Sequence, residues 1–333
     1  MRWPRASRCR RGRWPRSRKG RRPRRAPMPR PGGKAMDLTL GPNLFFWEAE
    51  RVRDFYAKIA DEAPVARVVL GEVVCSKRLP FWQGEIPMAV ERLRAAGKEV
   101  WLSSLALVTL KRERTLTEEL IDAGVGIEIA DLTALAYVPE GAPFSVSPLI
   151  NCYNVGTLDW LAARGARRIC LPNELPMESV ATLAQAGKER GVAVEVWGFG
   201  RQPLAISGRC YHARLHDRIK DSCQFICNAD PDGREVDTLD GERFLAVNGV
   251  QTLSCATSFV GREIPGLLAA GVSALRLSPH TGDMVGLARA FDEAVKAGAN
   301  TDALEAAARA VAPGGQLANG YLHARAGAEW VDA

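Results

Sequence analysis

The chain has 333 residues, 47% of them hydrophobic and 25% charged, a composition that supplies the core of one sizeable globular domain and excludes a chain too polar to fold. Its longest apolar runs, such as VEVWGFG at 194–200, fall far short of the roughly 20 residues a helix needs to cross a bilayer, which excludes a membrane-spanning helix. The formal net charge of +7 comes from one end, because residues 1–34 hold 13 Arg and 2 Lys with no Asp or Glu, leaving 30 basic side chains against 38 acidic ones in the rest.

That Arg-rich stretch cannot bury enough apolar surface to offset the entropy of ordering it, so residues 1–35 are expected to be a disordered arm. A basic arm for nucleic acid or anionic lipid is one reading. A transit peptide is another, though its Pro and Gly density spoils an amphipathic helix. The composition favours a third, an upstream start assigned in error, with Met36 as the first residue of the protein proper. No apolar segment of the secretory kind follows the basic stretch, so the expected location is the cytoplasm, where structural disulfides are rare.

From residue 38 onward, short apolar runs alternate with segments of helical period. Runs at 38–41, 66–71, 99–104, 126–130, 144–148, 168–171, 192–197 and 274–278 read as strands. IPMAVERLRAAGK, TLTEELIDAG, VGTLDWLAARG and MESVATLAQAGKERG read as helices that stop at or near a Gly. Eight strand–helix repeats predict a TIM-type (β/α)8 barrel, an irregular one, the fit being good for seven repeats and poorest for the first. Residues 36–333 are thus expected to form a single domain. The rhythm breaks at about 198–271, which has three Cys, two His and a DPDG turn, and reads as an insertion after the seventh strand. Insertions there build active sites at the C-terminal face of a barrel, and Cys75, following the second strand, emerges at the same face.

Cys210, Cys223 and Cys227 have the spacing C-x12-C-x3-C, with Cys75 a lone candidate far upstream. Four converging thiolates select an iron–sulphur cluster or zinc. Zinc sites usually show two close pairs, and only Cys223 and Cys227 approach that. Four ordinary buried thiols would fit the spacing too. Neighbourhood sorts the remainder: Cys152, Cys170 and Cys255 sit in or beside apolar strands and read as core, and Cys9 lies in the arm. Cys75, Cys210 and Cys223 have charged neighbours, Lys77, Arg78, Arg209, Arg214, Lys220 and Asp221 among them, which suit a thiolate site.

LGEVVCSKR (70–78), SSLALV (103–108), LINCYN (149–154), LPNEL (171–175), GRQPLAISGRCYHAR (200–214), KDSCQFIC (220–227), NGVQTLS (248–254) and LRLSP (275–279) together resemble the collagenase-like peptidase family, in particular its members that act in oxygen-independent ubiquinone biosynthesis. The resemblance runs from about Met36 to about Trp330. It implies a 4Fe-4S cluster held by Cys75, Cys210, Cys223 and Cys227. It also implies a heterodimer with a paralogue that carries its own cluster, a lipid-binding accessory protein, and prephenate as the oxygen donor for hydroxylation of the ubiquinone ring precursor. The Arg-rich arm has no counterpart in those relatives. Neither G-x-S-x-G nor H-E-x-x-H occurs, so the family's name does not lead to an expectation of proteolysis.

With four Cys on four irons no iron is left open, so electron transfer or a supporting role is expected. Arg209 and Arg276 are candidates to clamp an anionic donor, and His212 a candidate proton donor, although each such residue more often serves a local salt bridge or hydrogen bond. Two alternatives have different consequences: an RNA-hydroxylation factor of the same family, and a zinc-stabilised scaffold subunit without catalysis. The acidic body lacks a basic, aromatic-interleaved groove, which argues against RNA and gives no reason to expect DNA as a partner.

Overall fold

The computed structural model describes residues 36–332, so the arm of residues 1–35 and Cys9 lie outside the described residues. In chain order the strands are β1 (Asp37–Leu40), β2 (Arg67–Leu70), β3 (Glu99–Ser103), β4 (Gly126–Ile129), β5 (Phe144–Val146), β6 (Ala166–Cys170), β7 (Ala193–Ile206), β8 (Arg234–Asp237), β9 (Arg243–Asn248), β10 (Gln251–Phe259), β11 (Ala274–Leu277) and β12 (Leu317–Ala318). Helices fall between them: α1 (Ala49–Glu62), α2 (Leu79–Trp82), α3 (Glu85–Ala95), α4 (Lys111–Asp122), α5 (Val155–Ala163), α6 (Met177–Glu189), α7 (Tyr211–Arg214), α8 (Ile264–Ala269), α9 (Met284–Ala297) and α10 (Asp302–Val311).

Strands β1 to β7 each pair in parallel with the next, and β11 pairs with both β1 and β7, closing an eight-stranded barrel. The eight sequence runs are its eight strands. Even the first, the least regular in sequence, is fully engaged, with Asp37–Leu40 in register against Ala274–Leu277. Runs such as RVVL and ALRL are buried at every residue, as parallel strands covered on both faces require. Helices coat the outside with apolar stripes: α1 buries Val52, Tyr56, Ile59 and Ala60, which recur at helical spacing. At about 1.5–3 kcal/mol for each large side chain, such stripes drive the wrapping. Helices α3 to α6 stop at Gly97, Gly124, Gly165 and Gly191, all at positive φ, which glycine adopts without a Cβ clash.

Two irregularities stand out. The crossover from β4 to β5 carries a 3-10 turn, Leu132–Ala136, capped by the Asp131 carboxylate, in place of a full helix. Strand β7 continues past the barrel rim to Ile206, beyond the run at 192–197, because β10 supplies an antiparallel partner that sequence reasoning could not see. Strands β8, β9 and β10 extend from it as an antiparallel sheet, and the intervening turns are tied down on the barrel's C-terminal side. Trp47 Nε1 donates to Pro231 O (2.8 Å), Asn248 Nδ2 to Leu44 O (2.6 Å), and Asp232 accepts from the Thr281 N–H (2.9 Å).

The barrel interior is ionic. Arg276 donates to both Glu128 oxygens (2.8 and 2.6 Å) and to Glu195 (2.7 Å), all three side chains being buried. Strands β4 and β11 are separated by three others, so the Arg276–Glu128 pair spans the lumen. A bidentate guanidinium is the group best able to satisfy two buried carboxylates at once.

Candidate metal centre

The first arm of the site is the loop leaving β2. Gly71 turns it at φ +136°, where an added Cβ would lie 2.8 Å from Ser103 O. Glu72 then folds back so that one carboxylate oxygen accepts from the Val74 and Cys75 N–H groups, both at 2.9 Å, which fixes the backbone that presents Cys75. Burial pushes the Glu72 carboxyl up, and Arg78 pulls it partly back.

The second arm runs from the end of β7. Cys210 caps α7, its Sγ accepting from Ala213 N (3.4 Å). Further on, Gln224 (φ +49°) and Phe225 (φ +54°) are two successive non-glycine residues in the left-handed region, a conformation that costs on the order of 1 kcal/mol or more each and clusters at functional loops. The tight turn sets Cys223 and Cys227 on one side. Phe225 packs against Phe81 (centroids 4.5 Å apart) and Phe46 (6.0 Å), pinning it to the first arm. Lys77 Nζ donates to Lys220 O (2.7 Å), which joins the two arms through a basic side chain.

These arms bring Cys75, Cys210, Cys223 and Cys227 to the wall of one small cavity, with Lys77, Arg78, His212, Lys220 and Gly249 beside them. Cys152, Cys170 and Cys255 are buried and do not line it. All seven described cysteines are free thiols. Burial pushes the Cys75, Cys210 and Cys227 thiols up. Arg78 is the strongest influence pulling Cys75 and Cys227 back down, while the Ala213 N–H does so for Cys210. Cys75 and Cys223 both oppose ionisation of Cys210. Thiols buried and crowded in this way hold their protons more tightly than free ones.

Arg78 is the electrostatic floor of the cavity. It is 1% exposed, donates to Leu44 O (3.0 Å) and Asn248 Oδ1 (2.8 Å), and faces Cys227 and Cys75. Gly249 makes room for it: φ is +63°, and an added Cβ would stand 2.5 Å from Arg78 Nη2. Gly249→Ala is therefore expected to lower stability by about 1–3 kcal/mol, read as a fall in denaturant midpoint at unchanged slope. An unchanged midpoint would show that Arg78 yields freely.

The three other candidate residues are scattered. His212 is buried in the cavity wall, with Nε2 2.9 Å from Asp230 Oδ2. Burial holds its imidazole below the usual range, Asp230 pulling the other way. Arg209 is exposed beside Cys210 and does not line the cavity. Arg276 lies in the barrel lumen, engaged by Glu128 and Glu195, rather than at the rim. Sequence reasoning did not find Asn248, Gly249 or Phe225. The one signal for Gly249 was an Asn-Gly pair between two β-type runs, which marks a hairpin turn.

The fold and the site together define a closed α/β barrel whose C-terminal side gathers four thiols from two distant stretches of chain. The model of Peptidase family U32 matches residues 47–332, and the chain belongs to that family. Among solved structures, an uncharacterized B. cereus protein is 12% identical, with 81% of this chain and 66% of that one covered at a TM-score of 0.40. The tryptophan synthase complex from Pyrococcus furiosus is 13% identical, with 83% and 97% covered at a TM-score of 0.39. An enolase, a putative galactarate dehydratase from Agrobacterium radiobacter, is 11% identical, with 66% and 61% covered at 0.34. The chain thus spans about two thirds or less of the B. cereus and Agrobacterium proteins.

Proposed function

We propose that this U32 chain is a UbiV-like iron–sulphur subunit required for oxygen-independent hydroxylation of the ubiquinone ring precursor, with Cys75, Cys210, Cys223 and Cys227 holding a 4Fe-4S cluster. The observation that carries this reading is the convergence of those four cysteines on one cavity, although Cys75 and Cys210 come from loops after different barrel strands. Soft sulphur donors without a carboxylate on the cavity wall suit a cluster or zinc and disfavour hard cations. The heterodimer with a UbiU-like paralogue, the UbiT-like lipid-binding accessory protein and prephenate as oxygen donor rest on the motif resemblance alone.

When bound, a cluster with four cysteine ligands supplies one-electron transfer. The chain's own residues supply the rest. Glu72 fixes the Cys75 backbone, and Arg78, Lys77 and Lys220 offset thiolate charge. Phe225, packed on Phe81 and Phe46, covers the turn between Cys223 and Cys227. Arg276, engaged inside the lumen, is not available to clamp an anionic donor at the rim. No helix of the described residues is long and apolar enough to cross a membrane.

The test is anaerobic purification of the full chain co-expressed with its paralogue, followed by iron and acid-labile sulphide assays beside Cys223→Ala. About four irons and four sulphides for this subunit, lost in the variant, are expected. Zinc without sulphide, or iron indifferent to the substitution, would overturn the assignment and favour a zinc-stabilised scaffold.

A further inference from the structure

We propose a second metal site, beyond the four-cysteine reading: His212, His216 and Asp230 bind one divalent transition cation of the zinc class. His212 and His216 stand four residues apart on α7 and the turn that continues it, a spacing that puts both imidazoles on one face. Their rings stack with centroids 5.7 Å apart and 17° between planes. Asp230 arrives from the turn that opens the inserted sheet, held by the Gly233 N–H on its carbonyl (3.0 Å). One ligand atom from each of the three lies within 4.8 Å of the other two.

The polar atoms of this cluster are incompletely used. His212 is fully buried, yet its Nδ1 has no hydrogen-bond partner, and His216 Nε2 is likewise buried and unpartnered. A buried imidazole nitrogen without a partner, as at His216 Nε2, is costly unless a ligand engages it. The His212 Nε2–Asp230 contact is one a cation can replace directly. Two imidazoles and a carboxylate are the protein donor set of a zinc-type site. Arg234 approaches Asp230 (3.9 Å) and Arg78 lies on the cavity side of His212, so binding rests on the nitrogen donors, which disfavours calcium and magnesium.

The probe is Co²⁺, titrated anaerobically into the full chain and into His216→Ala, His216→Gln, Asp230→Asn and Cys223→Ala. One saturable equivalent with visible ligand-field bands is expected at this site, separate from any thiolate-to-cobalt charge transfer, which reports cobalt on the four cysteines. That equivalent should persist in Cys223→Ala and bind at least about tenfold more weakly in the His216 and Asp230 variants. Metal-free melting curves close to that of the parent would show that those variants fold, and the Gln variant keeps the side chain's bulk if Ala does not. Cobalt that shows only thiolate charge transfer and is indifferent to His216 and Asp230, or no saturable binding, would overturn the site.

Discussion

Replacing Arg276 with alanine is expected to destabilise the barrel by about 3–5 kcal/mol at neutral pH, the usual consequence of removing one partner from a buried ion pair. The substitution leaves Glu128 and Glu195 facing each other's charge without the guanidinium that bridges them, only Ser145 Oγ (3.4 Å) near Glu128 and the more distant Arg168 and Arg67 near Glu195 remaining. Its sign with pH is distinctive. In the native chain, burial alone would push Glu195 up, but Arg276, then Arg168 and Arg67, hold its carboxyl below the usual range. That contribution is present above the ordinary carboxylate pKa and disappears as pH falls through the depressed value. Without Arg276, burial wins and Glu195 prefers its proton, so the variant's deficit should shrink in acid. Chemical denaturation at about pH 7 and about pH 4 measures both halves of the claim. An equal deficit at the two pH values would mean that lost packing, not unpaired charge, dominates. Adding Glu128→Gln to Arg276→Met should recover part of the stability, because it removes one of the two unpaired carboxylates while Glu195 keeps Arg168 and Arg67 as counter-charges.

The eight strands were legible because each is short in the barrel and nearly all apolar, and several are followed by a glycine-stopped helix. What lies inside the barrel shows in the sequence as a single charged residue in an otherwise apolar strand: Arg67 in RVVL, Glu128 in GIEI, Glu195 in AVEVW and Arg276 in ALRL. A lone buried charge in such a strand needs an opposite charge, on a neighbouring strand as for Arg67 and Glu99 or across the lumen as for Arg276 and Glu128, yet sequence does not say which. Hence Arg276 reads equally well as a rim residue from its position near a strand end. Cys75, Cys210 and Cys223 stood out by their charged neighbours, Cys227 by its spacing from Cys223, and the three core cysteines by their apolar neighbours. Gln224 and Phe225 gave no sign of left-handed backbone, since neither residue type favours it. Asn248 and Gly249 matter through Arg78, a contact across 170 residues of chain that periodicity cannot express.

Arg78→Met is expected to change both stability and the chemistry of the cavity, and Arg78→Lys separates the two. Methionine fills the volume of the side chain but leaves Leu44 O and Asn248 Oδ1 without their donors and Glu72 as a buried carboxylate lacking its strongest counter-charge. A loss of about 3–5 kcal/mol follows. In the cavity, burial already pushes Cys75 and Cys227 up, and Arg78 is the first influence pulling each back. Removing it must raise both thiols further. In metal-free protein the pH profile of thiol alkylation should then move to higher pH in Arg78→Met. Lysine keeps one positive charge near the thiols but cannot donate in the fixed fork that spans Leu44 O and Asn248 Oδ1. Arg78→Lys should therefore lose part of the stability while holding the alkylation profile close to that of the parent. If methionine and lysine variants shift the profile alike, the thiols respond to packing around Gly249 and not to the guanidinium charge. If neither shifts it, Arg78 is a structural strut between the β1 loop and the inserted sheet, and the charge balance of the four-thiol cavity falls to Lys77 and Lys220.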